Sequence, residues 1–310
     1  MILTLTPNPC VDKTLFIPSV ELGSKHVAEK YGCVPGGKGS NVSRAVKSLG
    51  FDTAAMVVVG GAPGKHVVQM IEEDDGVICH PVWVAGMTRT ITTILETAIH
   101  RQTPLFEPGP SVTESEKQLL IAQFQDHVSH ASVVTFNGTV PDSSLGDLYA
   151  VLIPIAKECG AVTILDSHGT EFALGINAKP YMVKPNKHEA GEWAGFELTT
   201  VKDCLNAIDR YHNFGIPLVV MSLGPEGALV SQNGVCLQAC PPKIKEINAV
   251  GSGDALVAGF AIGLHLGDDI ETMTRRGIAA GTANAMCWDI GHFAPDEVEK
   301  IASQVKITYL

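Results

Sequence analysis

No run of about 18 consecutive apolar residues occurs in this chain, so no segment reads as a transmembrane helix. The opening, Met1-Ile2-Leu3-Thr4-Leu5, lacks a basic flank and runs straight into Thr6-Pro7-Asn8-Pro9. It reads as a strand entering a loop rather than as a secretory signal. The eight cysteines include no C-x-x-C, and no His-rich segment follows the nearest pair, Cys236 and Cys240. Neither a disulfide framework nor a zinc knuckle is indicated; free thiols in a reducing cytoplasm are the expectation. Basic residues are scarce, 22 Lys+Arg against 33 Asp+Glu, for a net charge of −11. A field of that sign repels phosphate backbones and anionic membranes, so neither nucleic acid nor a membrane is an expected partner. An anionic ligand must be held by local donors. A G-x-G-x-x-G is also missing after the first strand, which argues against a dinucleotide-dependent oxidoreductase.

What is present is a chain of 310 residues, 45% hydrophobic, able to bury a large core. Short β-branched runs at 2–6, 53–59, 132–136, 162–166, 182–184 and 218–222 predict strands. Helical periods at 39–49, 64–73, 114–127, 144–159, 187–194, 201–214, 253–265 and 270–287 alternate with them. Such alternation predicts a mostly parallel sheet covered on both faces, with ligands collecting at the carboxyl ends of its strands. Residues 12–34 and 88–106 break the rhythm. The Thr/Ile-rich stretch from Thr88 reads as a hairpin, and the two excursions predict a small β-sheet projecting over the ligand edge as a lid. The expectation is one domain, 1–310, with that lid.

Several segments carry chemistry. Pro35-Gly36-Gly37-Lys38-Gly39-Ser40-Asn41 nearly spells a Walker A loop, but Gly39 stands where the Mg²⁺-binding hydroxyl belongs. Glycines opening a helix still let backbone N–H groups approach a polar ligand, and Asn41 can donate and accept to a polyol. An ordinary tight turn is the competing reading. Asn248-Ala249-Val250-Gly251-Ser252-Gly253-Asp254 places a Gly-Ser-Gly at a helix N-terminus, suited to the charge developing on a transferring phosphoryl group. Asp254 is then either a first-turn cap or a general base. Asn186 and Glu189 are three apart, spaced to order a hydrated Mg²⁺ through water or to form a capping box. Ser222-Leu223-Gly224-Pro225-Glu226-Gly227 ends a strand and can face a nucleotide. Gly281-Thr282-Ala283-Asn284-Ala285 is small enough for a flat base to pack nearby, or for close helix packing. Asp12, Lys25, Lys38 and Arg89 are polar residues on or beside the excursions. Asp12 can accept from sugar hydroxyls; Lys25 and Arg89 can bind an anionic group.

Together these segments resemble the PfkB, or ribokinase-like, carbohydrate kinase family. Gly36-Gly37-Lys38-Gly39 is similar to its N-terminal signature, Val250-Gly251-Ser252-Gly253-Asp254 to its C-terminal one, and Asn186-Lys187-His188-Glu189 to its N-x-x-E motif. Thr6-Pro7-Asn8-Pro9-Cys10-Val11-Asp12, Thr88-Arg89, Glu107-Pro108-Gly109-Pro110 and Leu165-Asp166-Ser167 resemble the branch acting on ketohexose phosphates. The sequence departs from that branch at Lys13, Phe106, Asn137-Gly138-Thr139 and Asn248, around the acceptor and lid.

The resemblance implies a three-layer α/β/α ribokinase-like fold with a mostly parallel sheet and a β-sheet lid. It implies ATP and Mg²⁺ as cofactors, a cytoplasmic phosphosugar kinase, and a homodimer through the lid. Fructose 1-phosphate is the first expected acceptor, with tagatose 6-phosphate and fructose 6-phosphate as alternatives. A kinase of an unphosphorylated sugar or nucleoside and a non-catalytic sugar-phosphate sensor stand further off. By the same resemblance Asp254 is the base, and Gly251, Ser252 and Gly253 line the transferring group. Asp12, Lys25, Gly36, Gly37, Lys38, Asn41, Arg89 and Gly138 sit at the acceptor. Lys184, Asn186, Ser222, Gly224, Gly227 and Asn284 sit at the nucleotide, and Asn186 and Glu189 hold the metal through water.

Overall fold

The apolar runs become interior strands. Ile2–Thr6 (β1) is buried along its whole length, as a strand covered on both faces must be. The computed structural model describes residues 1–310. It continues with β2 (Cys10–Ile17), β3 (Lys30–Gly36), β4 (Thr53–Val59), β5 (Ile78–Trp83), β6 (Arg89–Glu96) and β7 (Arg101–Phe106). Then follow β8 (Val133–Asn137), β9 (Val162–Asp166), β10 (Met182–Val183), β11 (Leu218–Ser222), β12 (Ala228–Gln232), β13 (Val235–Cys240) and β14 (Lys306–Tyr309).

Ten strands form one sheet in the order β14-β13-β12-β11-β10-β9-β8-β1-β4-β5. From β11 to β5 all neighbours run parallel. The strands β12, β13 and β14 join antiparallel. The order reverses at β1, which lies between β4 and β8. In open α/β sheets such a reversal leaves a crevice at the strands' carboxyl ends. Apolar clusters cover both faces, one including Leu3, Phe124, Phe136 and Tyr149, the other Ile2, Val42, Phe260 and Ile278. Helix Ser252–Leu266 lies hard against helix Ile270–Ala285; a Cβ on Gly259 would come within 2.6 Å of Gly277 Cα.

The two excursions meet in a second sheet, ordered β3-β2-β6-β7. It reaches from Cys10 to Gly36, a little beyond the predicted 12–34. Its central pair, β2 with β6, is parallel, because the chain builds β4 and β5 before returning. The outer pairs are antiparallel, and β6 with β7 is the expected hairpin. No helix is long and apolar enough to cross a membrane.

Candidate active site

The strand ends beside the reversal deliver a charged cluster. Asp166 is the last residue of β9 and fully buried. Lys184 follows β10, and Lys38 opens helix Lys38–Ser48. Lys38 Nζ donates to Asp166 Oδ1 at 3.1 Å, and Lys184 Nζ lies 3.3 Å from the same oxygen. Burial favours the neutral Asp166, but the two ammonium groups outweigh it and hold the carboxyl below its ordinary range. Burial likewise works against a charged Lys38. The carboxylates of Asp166, Asp254 and Glu189 reverse that and raise its pKa.

Asp254 lies in the first turn of helix Ser252–Leu266 and is buried. Its Oδ2 accepts from Asn41 Nδ2 at 2.8 Å. Burial pushes the carboxyl up to about 6; Lys38 is the largest opposing influence, Asp166 adds to the rise, and Asn41 and Lys184 work against it. A carboxylate ionised at neutral pH, yet with proton affinity well above an ordinary aspartate, is suited to take a proton from a hydroxyl. Before it, Gly251 adopts φ 80°, and a Cβ there would meet Ile290 Cγ2 at 2.3 Å. Only glycine lets the chain enter this helix so tightly. The Ser252 N–H is turned back to the Ala249 carbonyl at 3.2 Å, so it is less free for an anion than the sequence suggests. A Cβ on Gly253 would sit 3.6 Å from Lys184 Nζ, so that lysine borders the loop.

On the side of the small sheet, Gly37 has φ 111°, and a Cβ there would strike Thr6 Cγ2 at 2.6 Å. The glycine run thereby seats β3 against the end of β1, bringing Gly36 close to Asp12. Asp12 is half-buried; desolvation raises its carboxyl, with Arg44 opposing. Arg89 Nη2 donates to the Asn8 carbonyl at 3.0 Å, while its buried Nε has no partner. Thr6 Oγ1, Asn8 Oδ1, Asn137 Oδ1 and Asp166 Oδ2 are also buried and unpartnered. Buried polar atoms are ordinarily satisfied, and a polyhydroxylated anion offers the missing donors and acceptors. Gly138, with φ 80°, packs along the Lys38 side chain, and its carbonyl accepts from Tyr149 and Ser167, each at 2.8 Å.

On the other side of Gly253 a cavity of about 550 Å³ is lined by Ser222, Gly224, Gly227, Leu256, Ile278 and Thr282 among others. Its walls are largely apolar, with polar groups toward the loop, a composition fitting a flat heterocycle with a charged tail. Asn186 bridges to Ser222 and borders an adjoining crevice. Asn186 and Glu189 form a reciprocal capping box: Oδ1 of Asn186 accepts from the Glu189 N–H, and Oε2 of Glu189 from the Asn186 N–H, each at 2.8 Å.

Two expected site residues stand elsewhere. Asn284 does not line the cavity beside Ser222. It is buried, with Nδ2 donating to the Val250 carbonyl (2.8 Å) and Ser252 Oγ (3.2 Å), and Oδ1 accepting from Gly291 N–H (2.8 Å). It braces the Gly-Ser-Gly loop from behind, because it lies on the face of its helix that packs inward. Lys25 is exposed in the connection between β2 and β3, outside the cluster. Two residues given no role from sequence prove central. Asp166 ends a buried strand and stands in the Leu165-Asp166-Ser167 stretch that resembles the family branch, yet drew no role; Arg44, the other, lies three residues after Asn41.

Residues 5–289 match the family described as pfkB family carbohydrate kinase. A tagatose-6-phosphate kinase of Staphylococcus epidermidis is 33% identical over 315 residues, covering 99% of each chain. A 1-phosphofructokinase of Bacillus subtilis is 30% identical, covering 100% of each. Phosphofructokinase-2 of Escherichia coli, solved with substrates and products, superposes with a TM-score of 0.90 at 30% identity, covering 98% of each chain. The tetrameric inhibited form of that enzyme superposes with the same score.

Proposed function

The chain belongs to the pfkB family of carbohydrate kinases, and from that premise we propose that it transfers the γ-phosphoryl group of ATP to a hydroxyl of a ketohexose phosphate. The observation that carries this reading is the position of Asp254. It is buried, hydrogen-bonded to Asn41, and directly follows Ser252 and Gly253, which line the cavity beside Ser222. Asp254 Oδ1 or Oδ2 takes the hydroxyl proton as the oxygen attacks phosphorus. The N–H groups of Gly251 and Gly253 and the helix dipole stabilise charge on the moving group, the Ser252 N–H contributing less because it is turned to Ala249. Lys38, kept cationic by Asp166, and Lys184 beside it neutralise the phosphate oxygens. Asp12, Asn41 and the backbone at Gly36, Gly37 and Gly138 hold the sugar hydroxyls. The small sheet is a lid that excludes water, the competing acceptor.

A divalent cation, Mg²⁺ in this reading, fits the acceptors present. Glu189 keeps Oε1 free of its cap, and Asp166 Oδ2 is buried without a partner. These oxygens suit a hydrated cation held through water. Asn186 serves mainly to orient Glu189, since its own Oδ1 is occupied. When bound, such an ion screens the charge on the nucleotide's phosphates.

The acceptor's own phosphate is read by Arg89, whose buried Nε lacks a partner. Arg89→Met should raise KM for the phosphosugar about 10- to 100-fold while changing KM for ATP by less than about threefold, the scale of a lost charge-assisted pair. Equal effects on both would move the acceptor site elsewhere. Fructose 1-phosphate is the acceptor we place first, and the Staphylococcus epidermidis relative supports tagatose 6-phosphate as the second reading. A coupled ATP-consumption assay with these two, fructose 6-phosphate and the free sugars decides. One phosphosugar is expected to exceed its free sugar in kcat/KM by about 100-fold or more, the scale expected when a fixed cation meets the substrate's phosphate. A free sugar or nucleoside that outperformed every phosphosugar would overturn the assignment, and no turnover with tight binding would point to a sensor.

The same reading extends to assembly. Tyr31, Leu105 and Phe106 are exposed on the outer strands β3 and β7, and a second copy of the chain covers them. Phe106→Asp should then shift the particle mass measured by light scattering toward the monomer; an unchanged mass places the contact elsewhere.

A further inference from the structure

Helix Lys38–Ser48 buries a guanidinium beside the Asn41 amide and small or apolar side chains. Arg44 is 1% exposed, which is tolerable for a permanent cation only when its N–H groups are met. Its Nε donates to Asp75 Oδ1 at 2.8 Å, and Nη2 donates to the Pro35 carbonyl near the end of β3 at 2.6 Å. Nη1 donates both to the Ile290 carbonyl and to Asn41 Oδ1, each at 3.1 Å. The pair with Asp75 compensates the charge. The remaining donors reach three other places, and one of them is the amide that touches Asp254.

That contact has a directional consequence. Arginine offers donors and no acceptor. The Asn41 atom facing it is therefore oxygen, and the amide presents its N–H to Asp254 Oδ2, as observed at 2.8 Å. Released from Arg44, the amide is free to turn over and set its oxygen against the carboxylate. We propose that Arg44 is a positioning residue for phosphoryl transfer: it locks the Asn41 amide with its N–H toward Asp254 and ties that lock to the end of β3, the root of the lid. The proposal rests on the reading of Asp254 as the base.

The charged groups around the two ends are distinct. Asp254 is faced by Lys38 from helix Lys38–Ser48, Asp166 from β9 and Lys184 after β10. Arg44 is faced by Asp75, His292 and Asp12. Changes at Asp75 therefore perturb Arg44's charge balance without touching the groups around Asp254, which separates a positioning role from a structural one.

The test compares Arg44→Lys with Asp75→Asn in thermal stability, steady-state kinetics and pH profile. Arg44→Lys keeps the charge and loses the fork. It should lower kcat about 10- to 100-fold, leave KM for ATP within about threefold, and move the acid limb of kcat/KM upward by roughly half to one pH unit. Asp75→Asn keeps an oxygen for Nε; it should lower Tm yet leave kcat within about threefold and the acid limb in place. Equal kcat losses with an unmoved limb in both would mean a structural ion pair and overturn the proposal. Asp254→Asn, measured in parallel, separates the two readings. Near-normal turnover there withdraws the base assignment itself. Lost turnover there with normal kinetics in Arg44→Lys withdraws only the role of Arg44. Should Arg44→Lys fail to fold, the side-chain amide NMR spectrum of the intact enzyme reads the same contact. Asn41 side-chain amide protons that are protected from exchange with water and shift as Asp254 titrates are expected; protons that exchange freely with water and ignore that titration overturn the proposal.

Discussion

Asp254→Ala is expected to lower kcat about 1,000- to 10,000-fold while leaving KM for the phosphosugar within about threefold, the scale of losing a general base whose contribution is confined to the transition state. The carboxylate touches Asn41 and faces Lys38 and Lys184, whereas the proposed sugar contacts lie mainly on other residues. Asp254→Asn carries a second, opposite consequence. Burial raises this carboxyl from 3.8 to about 6 in the folded protein. Between those values the native state binds the proton and the unfolded chain does not. Stability from this site is therefore full below the unfolded value and is lost as pH rises through the folded one. At about pH 7.5 the ionised group is a burden on the fold, and the amide removes it. Asp254→Asn should be inactive and more stable by about 2 kcal/mol, read as a higher Tm. A lower Tm would mean that Lys38 and Lys184 depend on Asp254 more than on Asp166.

Asp166→Ala should behave in the other direction on stability. Asp166 is fully buried and meets both Lys38 and Lys184 through one oxygen. Removing it leaves two ammonium groups, one of them buried, without their closest counter-charge. Breaking a buried pair on one side costs about 3–5 kcal/mol, which for a chain of this length lowers Tm by about 5–10 °C. The depressed carboxyl pKa carries the matching sign. Its stabilisation is present above the ordinary aspartate value and is lost as pH falls through the lower folded one. Wild type should therefore lose stability in acid that Asp166→Ala has already lost at neutral pH. A variant with unchanged Tm would show that Lys38 and Lys184 find other partners.

Much of the frame was legible because local chemistry and fold agree. The buried runs at 2–6, 53–59 and 162–166 are strands to the residue, since strands covered on both faces must be apolar throughout. The strands β5, β12, β13 and β14 were not read. They alternate or mix in polar residues, β5 and β14 lying at the sheet's edges, and packing rather than composition decides them. The helices Gly169–Gly175 and Pro295–Ala302 escaped because each is short. Within the site, Lys38, Asn41, Lys184 and Asp254 come from three separate segments and converge on one cluster. Asp166 and Arg44 drew no role because a single charge in a buried element announces burial but not its partner. Asn284 misled for a related reason. A small-residue helix supplies two faces; Gly281, Thr282 and Ala285 border the cavity, while Asn284 turns inward. The Asn186/Glu189 spacing forms the capping box that was one of its two readings, and it leaves one Glu189 oxygen free.

The most direct measurement is kcat/KM for the phosphosugar at saturating ATP between about pH 4.5 and 9, since this quantity titrates with the free enzyme's base. Activity should be level above neutrality and fall about tenfold per pH unit below about 6, where Asp254 takes up its proton. A profile that stayed flat through about pH 5 would contradict the assignment of Asp254 as the base.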